Sequence, residues 1–539
     1  MLKFKMLGGK KNMNMQERKD MIAVMKGFPS FVLREEVLDY KKYKNELLEI
    51  CSYYNIYKKG KSFSPEGTSG DYVPSRIKYK QAKMLIDKEA RFMFSRSPEV
   101  RVKEKHISED GSTNQTIEQY QEIVNEVFER SKISKKLLQG AKDCFIGKRI
   151  ACLVDFSEVS GIQVHFYNAL QFYSETKYGS EELSKFVSFE CVQKSDDRNE
   201  RLFLINRYEV VGIGKVSFSS NLVNGAGKTV EELIAHKTMD MKTIPAVIIT
   251  NDGLLEDDNG VSDIATLMEY EEGYSLIANA DIDSERKGMN PVRYTVDMNS
   301  ATTKNLSSTA GSYWDLKSEQ NQENIHPMIG TLAPSMNHTE SVKTTLDRIK
   351  TTMHSELDIP NISEDGMLSG ITSFKALKAL YFPLQTRSDE KMKTWKQAIK
   401  DIVRIIIKTA LSNAETVKEL YVLSELKEEQ YIVEVKENYA LIDDELEDKA
   451  NDMQEIANNT RSRKSYLEKW RGSEDLTTNK KIEEELLQIA VELNMFDTTS
   501  MNMQVQSRLD KSEAEQRVET EQDREETMSR LQDFKDKKQ

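Results

Sequence analysis

Apolar side chains recur at helical spacing along four long stretches of the chain, and between the first two the interval shortens to the two-residue step of strands. Tyr79, Ala82, Ile86, Ala90 and Met93 share one face of a stretch that begins near Ser75 and ends near Ser95, after which Pro98 opens an extended segment over 99–103. A charged, Tyr-rich helical block over 34–57 precedes it and stops at Lys58-Lys59-Gly60. Helices over 117–130 and 132–145 follow. Segments 150–156, 162–173, 185–193, 201–211, 215–219 and 244–250 then alternate or run apolar, with polar and glycine turns between them. This order predicts an antiparallel meander with helices on one side, an α+β domain spanning about 35–251.

The second half reads as longer helices. Ile264, Leu267, Tyr270, Tyr274 and Ile277 predict a helix over 262–286 with Ser262 as its N-cap, stopped by Gly288 and Pro291. Val342, Leu346, Ile349, Met353 and Leu357 mark a returning helix over 339–358. The residues between these two helices carry short strand-like pieces such as 292–296 and many Ser, Asn and Thr. A loop with Pro360, Gly366 and Gly370 leads into a helix over 373–413, on which Met392, Trp395, Ile399, Ile402, Ile406 and Ala410 share a face. Pro383 removes one backbone donor inside that helix, so a kink is expected near 379–382. A strand over 431–435 precedes an acidic run, 442–448, and helices over 443–458, 463–470 and 480–493. From about residue 497 large apolar residues nearly vanish, which predicts a flexible or solvated tail.

The 539 residues exceed what one hydrophobic core supports, so several structural units are expected. A formal charge of −12 argues against tight sequence-independent binding of nucleic acid but suits a passage that repels phosphate weakly. Cys51, Cys144, Cys152 and Cys191 are widely spaced and read as isolated buried thiols, not a disulfide framework or zinc site. No metal or cofactor is expected. No apolar run approaches the roughly 20 residues that span a bilayer.

Four local patterns carry a chemical reading and a plainer one. Gly225-Ala226-Gly227-Lys228-Thr229 imitates a phosphate-binding loop, but Leu222 stands where its first glycine belongs, and a hairpin or surface loop is expected. Asp281, Asp283 and Glu285 with Gly288 imitate a calcium loop, although the turn glycine falls late; a solvated helix face is the expectation. Glu364 and Asp365 form a carboxylate pair with no nucleophile or histidine beside them, so no catalysis is assigned. The apolar run 399–407 carries Lys396, Lys400, Arg404 and Lys408 on one stripe, which fits a core helix with a wet edge and not a membrane segment.

The stretch Ser369-Gly370-Ile371-Thr372-Ser373-Phe374-Lys375-Ala376-Leu377-Lys378-Ala379-Leu380-Tyr381-Phe382-Pro383-Leu384 resembles the tunnel-loop and long-helix region of portal proteins of tailed double-stranded DNA bacteriophages. Arg76-Ile77-Lys78, Ala82-Lys83, Ile86-Asp87, Phe92-Met93-Phe94-Ser95 and Pro98 are similar to the early helix of portals from siphophages of Gram-positive hosts. The acidic strand-to-helix passage 431–448 is a third matching patch, and the order of elements over 35–495 is shared. The resemblance implies an α+β, mainly helical ring subunit, usually one of twelve. Its parts are an N-terminal arm (1–34), an α+β wing (35–260), a stem helix (261–287), a clip (288–337) and a second stem helix (338–358). A tunnel loop (359–372), a long kinked wing helix with linker (373–429), a crown (430–496) and a flexible polar tail (497–539) complete it.

Within that frame Ser363, Glu364, Asp365, Gly366, Ser369 and Gly370 are the tunnel-loop residues expected to face DNA. Pro383 is the helix kink, and Leu267, Tyr274, Leu346, Ile349 and Met353 are the stem-packing residues. The implied role is a DNA channel at one capsid vertex for packaging, head–tail connection and ejection, without enzymatic activity, in a virion assembled in the host cytoplasm. The implied partners are further copies of the chain, the terminase large subunit, major capsid and scaffold proteins, a head-completion adaptor and double-stranded DNA bound without sequence preference, with no membrane. A nucleotide-binding packaging enzyme and a head scaffold protein without a pore stay open as other readings. The Met- and Lys-rich N-terminus and the polar insert 301–337 have no counterpart in the resemblance.

Overall fold

In the computed structural model the described residues are 40–65, 73–104, 115–289, 292–296, 328–332, 338–361, 374–414, 430–439, 445–470 and 485–487, less single positions 158, 178, 196, 198, 240, 252, 255, 256, 258, 459 and 461. Helix α1 (Tyr40–Lys59) and helix α2 (Gln81–Phe94) lead to strand β1 (Glu99–Glu104), and helices α3 (Gln115–Arg130) and α4 (Ile133–Gly147) follow. Strands β2 (Arg149–Ser157), β3 (Gly161–Asn168), β4 (Phe172–Thr176), β5 (Leu183–Gln193), β6 (Leu202–Gly212), β7 (Lys215–Asn224), β8 (Thr229–Met239) and β9 (Ala246–Thr250) come next. The chain then forms helix α5 (Asp263–Met289), strands β10 (Val292–Val296) and β11 (Met328–Leu332), helix α6 (Thr339–Glu356), helix α7 (Phe374–Ser412) and strand β12 (Tyr431–Lys436). Helices α8 (Glu445–Ala457) and α9 (Arg463–Trp470) complete the described elements. The fold is α+β, and every paired strand among the described residues is antiparallel.

The expected single meander is instead two sheets, in the orders β3-β2-β9 and β4-β5-β6-β7-β8. The expected strand 162–173 breaks at residues 169–171, which carry neither glycine nor proline. Asn168 makes the turn there: its side-chain oxygen accepts the Leu170 N–H at 3.0 Å, and its carbonyl accepts the Gln171 N–H at 2.8 Å. Strand β2 is central and buried on both faces, which explains its near-continuous apolar sequence. Its Ile150, Cys152 and Val154 join the helical core, while Ala151 and Leu153 face Phe172, Phe186, Tyr208 and Val216 of the larger sheet. The alternate residues of that sheet, Tyr173, Val187, Phe189, Phe203, Ile205 and Val223, pack on Tyr43 and Leu47 of α1. Strand β8 was not expected; it is exposed at all but its last residue, and its adjacent Glu231 and Glu232 break the apolar alternation.

Helix α2 begins at Gln81 and not near Ser75, because residues 73–80 run without regular structure beside α5. Ser262 caps α5 as expected, accepting the Ile264 N–H at 3.2 Å while donating to the Ile146 carbonyl at 2.7 Å. Gly260 precedes it at φ +71°, and a Cβ there would lie 2.4 Å from the Asn251 carbonyl, so this turn requires glycine. Strands β10 and β11 pair between α5 and α6. Tyr270 reaches Glu356 at 3.3 Å and Asp281 lies 4.0 Å from His338, so the two helices run antiparallel. Strand β12, grouped with 430–496 in the sequence reading, pairs with β1.

The chain divides into two compact units, 1–441 and 442–539. In the second, Asp452 on α8 is buried and accepts Lys469 Nζ at 2.8 Å and Trp470 Nε1 at 2.7 Å. Most of the helix expected over 480–493 and the tail from 497 lie outside the described residues.

Candidate functional site: the long helix, its anchor and the helical pair

Helix α7 changes character at Pro383. Leu384, Met392, Trp395, Ile399, Ile402, Val403, Ile406, Ile407 and Ala410 are all buried in the main core, so the apolar run 399–407 is a core element. Before the proline, Leu380 is 38% and Phe382 65% exposed, and Tyr381 stacks on Phe92 with centroids 6.1 Å apart. The helix is continuous through Pro383, which has no N–H to offer the Ala379 carbonyl.

One turn further on, four charges meet away from water. Arg387 donates through Nε to Glu89 Oε1 at 2.9 Å and through Nη2 to Asp263 Oδ1 at 2.8 Å. Lys391 Nζ lies 2.8 Å from Glu89 Oε1 and 2.6 Å from Asp263 Oδ2, and 3.8 Å from the centre of the Phe145 ring. Glu89 belongs to α2, Asp263 is the first residue of α5, and Phe145 is on α4, so the cluster joins four helices. Two carboxylates balance two cations, which offsets the desolvation that a buried charge would otherwise suffer. Burial by itself lowers the Arg387 pKa; Glu89 and Asp263 outweigh it and hold the value above the ordinary one, with Asp358 adding to the effect. Glu89 Oε2 and Ser388 Oγ are buried without a hydrogen-bond partner among the described residues.

The exit of α6 converges on the same region. Leu357 and Ile359 are buried in the core that holds Leu384. Asp358 takes φ +55°, which lets the Ile359 N–H close the helix on the His354 carbonyl at 2.9 Å. His354 is buried, its Nδ1 lies 3.1 Å from the Ile359 carbonyl, and burial lowers its pKa, so it is neutral at pH 7. The intervening Ser363, Glu364, Asp365, Gly366, Ser369 and Gly370 lie outside the described residues.

Of the expected stem-packing residues, Leu267 and Met353 are fully buried in the main core and Ile349 is half-buried against it. Leu346 is half-buried, and Tyr274 meets Tyr79 edge-on at 5.2 Å. The buried face of α5 is not only apolar. Glu271, Ser275, Asn279 and Asp283 recur every four residues, and all four are buried. They bind the non-helical backbone of 75–80 and the first N–H groups of α2, running antiparallel to it. The Ser75 N–H donates to Asp283 at 3.0 and 3.1 Å, the Ile77 N–H to Asn279 Oδ1 at 2.7 Å, and the Tyr79 N–H to Ser275 Oγ at 3.4 Å. The Gln81 and Ala82 N–H groups share Glu271 at 3.2 and 2.8 Å, and Asn279 Nδ2 returns a bond to the Ile77 carbonyl at 2.7 Å. Four helical residues rise about 6 Å and two extended residues about 6.6 Å, so the two repeats stay in step. Asp283 therefore corrects the expectation of a solvated face: Asp281, Asp283 and Glu285 stand on a continuous helix, and Asp283 belongs to this ladder. Sequence reasoning missed both ladder and anchor, although the four-residue repeat of polar groups was visible.

The Gly225–Thr229 loop is the hairpin between β7 and β8. Asn224 Oδ1 accepts the N–H groups of Ala226 and Lys228 at 3.1 and 2.9 Å, which leaves them no phosphate to cradle. Cys51, Cys144 and Cys152 are buried and Cys191 is half-buried, all as free thiols. No helix among the described residues is long and apolar enough to cross a membrane.

The family described as phage portal protein, SPP1 Gp6-like, matches residues 36–497. No curated protein matches the chain.

Proposed function

The chain belongs to the SPP1 Gp6-like family of phage portal proteins, and on that premise we propose that twelve copies close into a ring whose axis is the DNA passage. Portal proteins are structural proteins of the virion that form an oligomeric ring at a capsid vertex and serve DNA packaging. In this chain 35–260 is the wing, α5 and α6 the stem, 288–337 the clip, 359–372 the tunnel loop, 373–429 the wing helix and linker, and 430–496 the crown. The single observation that carries this division is the order of α5, the β10–β11 pair, the antiparallel α6, and α7 with its proline. The stem pair meets the core through Leu267 and Met353, while Leu346 is left half-buried, which suits a helix pair completed by a neighbouring copy.

Ser363, Glu364, Asp365, Gly366, Ser369 and Gly370 then border the channel, offering short polar groups that face phosphate without gripping it. Pro383 is the bend that lets the loop move. The terminase large subunit and a head-completion adaptor dock on the clip in turn, and capsid and scaffold proteins surround the wing, in a siphophage of a Gram-positive host whose capsids assemble in the cytoplasm. Negative-stain images of the purified assembly test the reading: closed rings with a stain-filled centre are expected, and solid particles or filaments contradict it. The enzyme reading predicts nucleotide turnover, which the hairpin at Gly225–Thr229 gives no reason to expect.

A further inference from the structure

We infer that Glu89, Asp263, Arg387 and Lys391 form a positioning device that registers α7 on α2 and α5 and sets Pro383 as the point at which the helix becomes rigid. Three features of the geometry carry this. The first is where the cluster sits along α7. Pro383, Arg387 and Lys391 follow each other at four-residue intervals, so the weakened backbone bond at Ala379 and the two anchoring cations lie on one stripe of the helix. Ahead of Pro383 the helix exposes Leu380 and Phe382; behind it Leu384, Ser388 and Lys391 are buried. A displacement of the first turns of α7 therefore meets its softest joint immediately before its firmest.

The second is what the cluster joins. Asp263 stands at the root of α5, Glu89 in α2, and the charge of Asp358 at the end of α6 also acts on Arg387. Ile359, just after α6, and Leu384, just after Pro383, are each buried in the same core.

The third is the choice of charge over apolar packing. The apolar stripe from Met392 to Ala410 already holds α7 down, and an apolar core is at least as stabilising as a buried ion pair. Short, directional pairs add registration: advancing α7 by one residue, a rise of about 1.5 Å with a rotation of about 100°, would swing both cations off both carboxylates at once. The cluster fixes where α7 begins to be rigid. Motion of the helical turns ahead of Pro383 stops there and does not pass down α7 to β9 and β12. Any bearing on DNA passage rests on 359–372 being the tunnel loop; the anchoring itself does not.

Amide exchange on the assembled full-length protein, read by mass spectrometry, tests the proposal without reference to DNA. In the wild type, amides over 378–382 exchange at least about 100-fold faster than those over 384–392. Arg387→Met and Lys391→Met, made separately, raise exchange over 384–392 by at least about 10-fold and leave 399–410 within about twofold. Arg387→Lys, which keeps the charge but loses the fork, falls between. Glu89→Gln is the milder variant that carries the test if a Met variant does not fold. Ile406→Val, a core substitution away from the cluster, leaves the contrast across Pro383 unchanged. Equal protection on both sides of Pro383 in the wild type, or loss of protection spread evenly over 384–410 in the variants, would overturn the proposal. A wild-type protein that fails to form rings would count against the portal division of this chain and leave the exchange result standing.

Discussion

Replacing Asn279 by Ala probes whether the polar ladder on α5 holds residues 75–82 in place. The substitution removes the acceptor of the Ile77 N–H and the donor to the Ile77 carbonyl, both at 2.7 Å, from a side chain that is 1% exposed. Each neutral hydrogen bond contributes about 1 kcal/mol net, and leaving its backbone partner unpaired adds about as much again, so the local cost is about 2–4 kcal/mol. Residues 73–80 have no helix or strand of their own to share that loss. Amide exchange over 75–82 should rise by about 30- to 1,000-fold, while amides in β2 keep their protection. Ser275→Ala, which loses only a 3.4 Å contact, should cost less than about 1 kcal/mol. A rise below about threefold for Asn279→Ala, or equal effects of the two substitutions, would refute the assignment of the stability of 75–82 to directional bonds.

Burial raises the Glu271 carboxyl to about 7, against the pull of the Ala82 and Gln81 N–H groups toward lower values. Its folded value lies above the ordinary 4.5, so the folded state holds the proton more tightly and its contribution is complete below that pH and lost as pH rises through about 7. Melting at pH 5 and pH 8 should show the wild type losing stability relative to Glu271→Gln as pH rises; a constant or reversed difference would exclude this. A ring of twelve copies would carry a formal charge of −144, twelve times −12, so duplex binding should be weak at physiological salt and fall further with added salt. Nanomolar, salt-insensitive binding in a filter assay would contradict a sliding passage. Cysteines introduced by Ser363→Cys and Ser369→Cys, cross-linked between adjacent copies, should block DNA packaging while rings still assemble; packaging at the normal rate with complete cross-linking would make the loop a mere connector.

The helices were legible because their apolar stripes have a period that nothing local disturbs: α5, α6 and α7 fall within a few residues of the spans expected from Leu267, Met353 and Ile402. What escaped was set by partners distant in the chain. Glu89 lies 298 residues from Arg387, and Asp263 lies 128 from Lys391, so each reads as a wet charge until the fold brings them together. Asp283 was misread for the same reason. Its side chain is spent on the backbone of Ser75, and Ser75 was in turn assigned to a helix because nothing nearby shows that its N–H is already taken. The break between β3 and β4 depends on the Asn168 side chain, in a run otherwise apolar enough to pass for one strand. Ser363, Glu364, Asp365, Gly366, Ser369 and Gly370 remain a reading from resemblance, and Pro383 is seen in a continuous helix whose bend is still a proposal.

The mass of the native assembly tests the central claim most directly. A ring of twelve chains of 62.0 kDa should appear in native mass spectrometry as one closed species of about 744 kDa, with few free subunits. A neighbouring ring number would change the count and keep the channel. A monodisperse 62.0 kDa monomer at micromolar concentration would contradict the account.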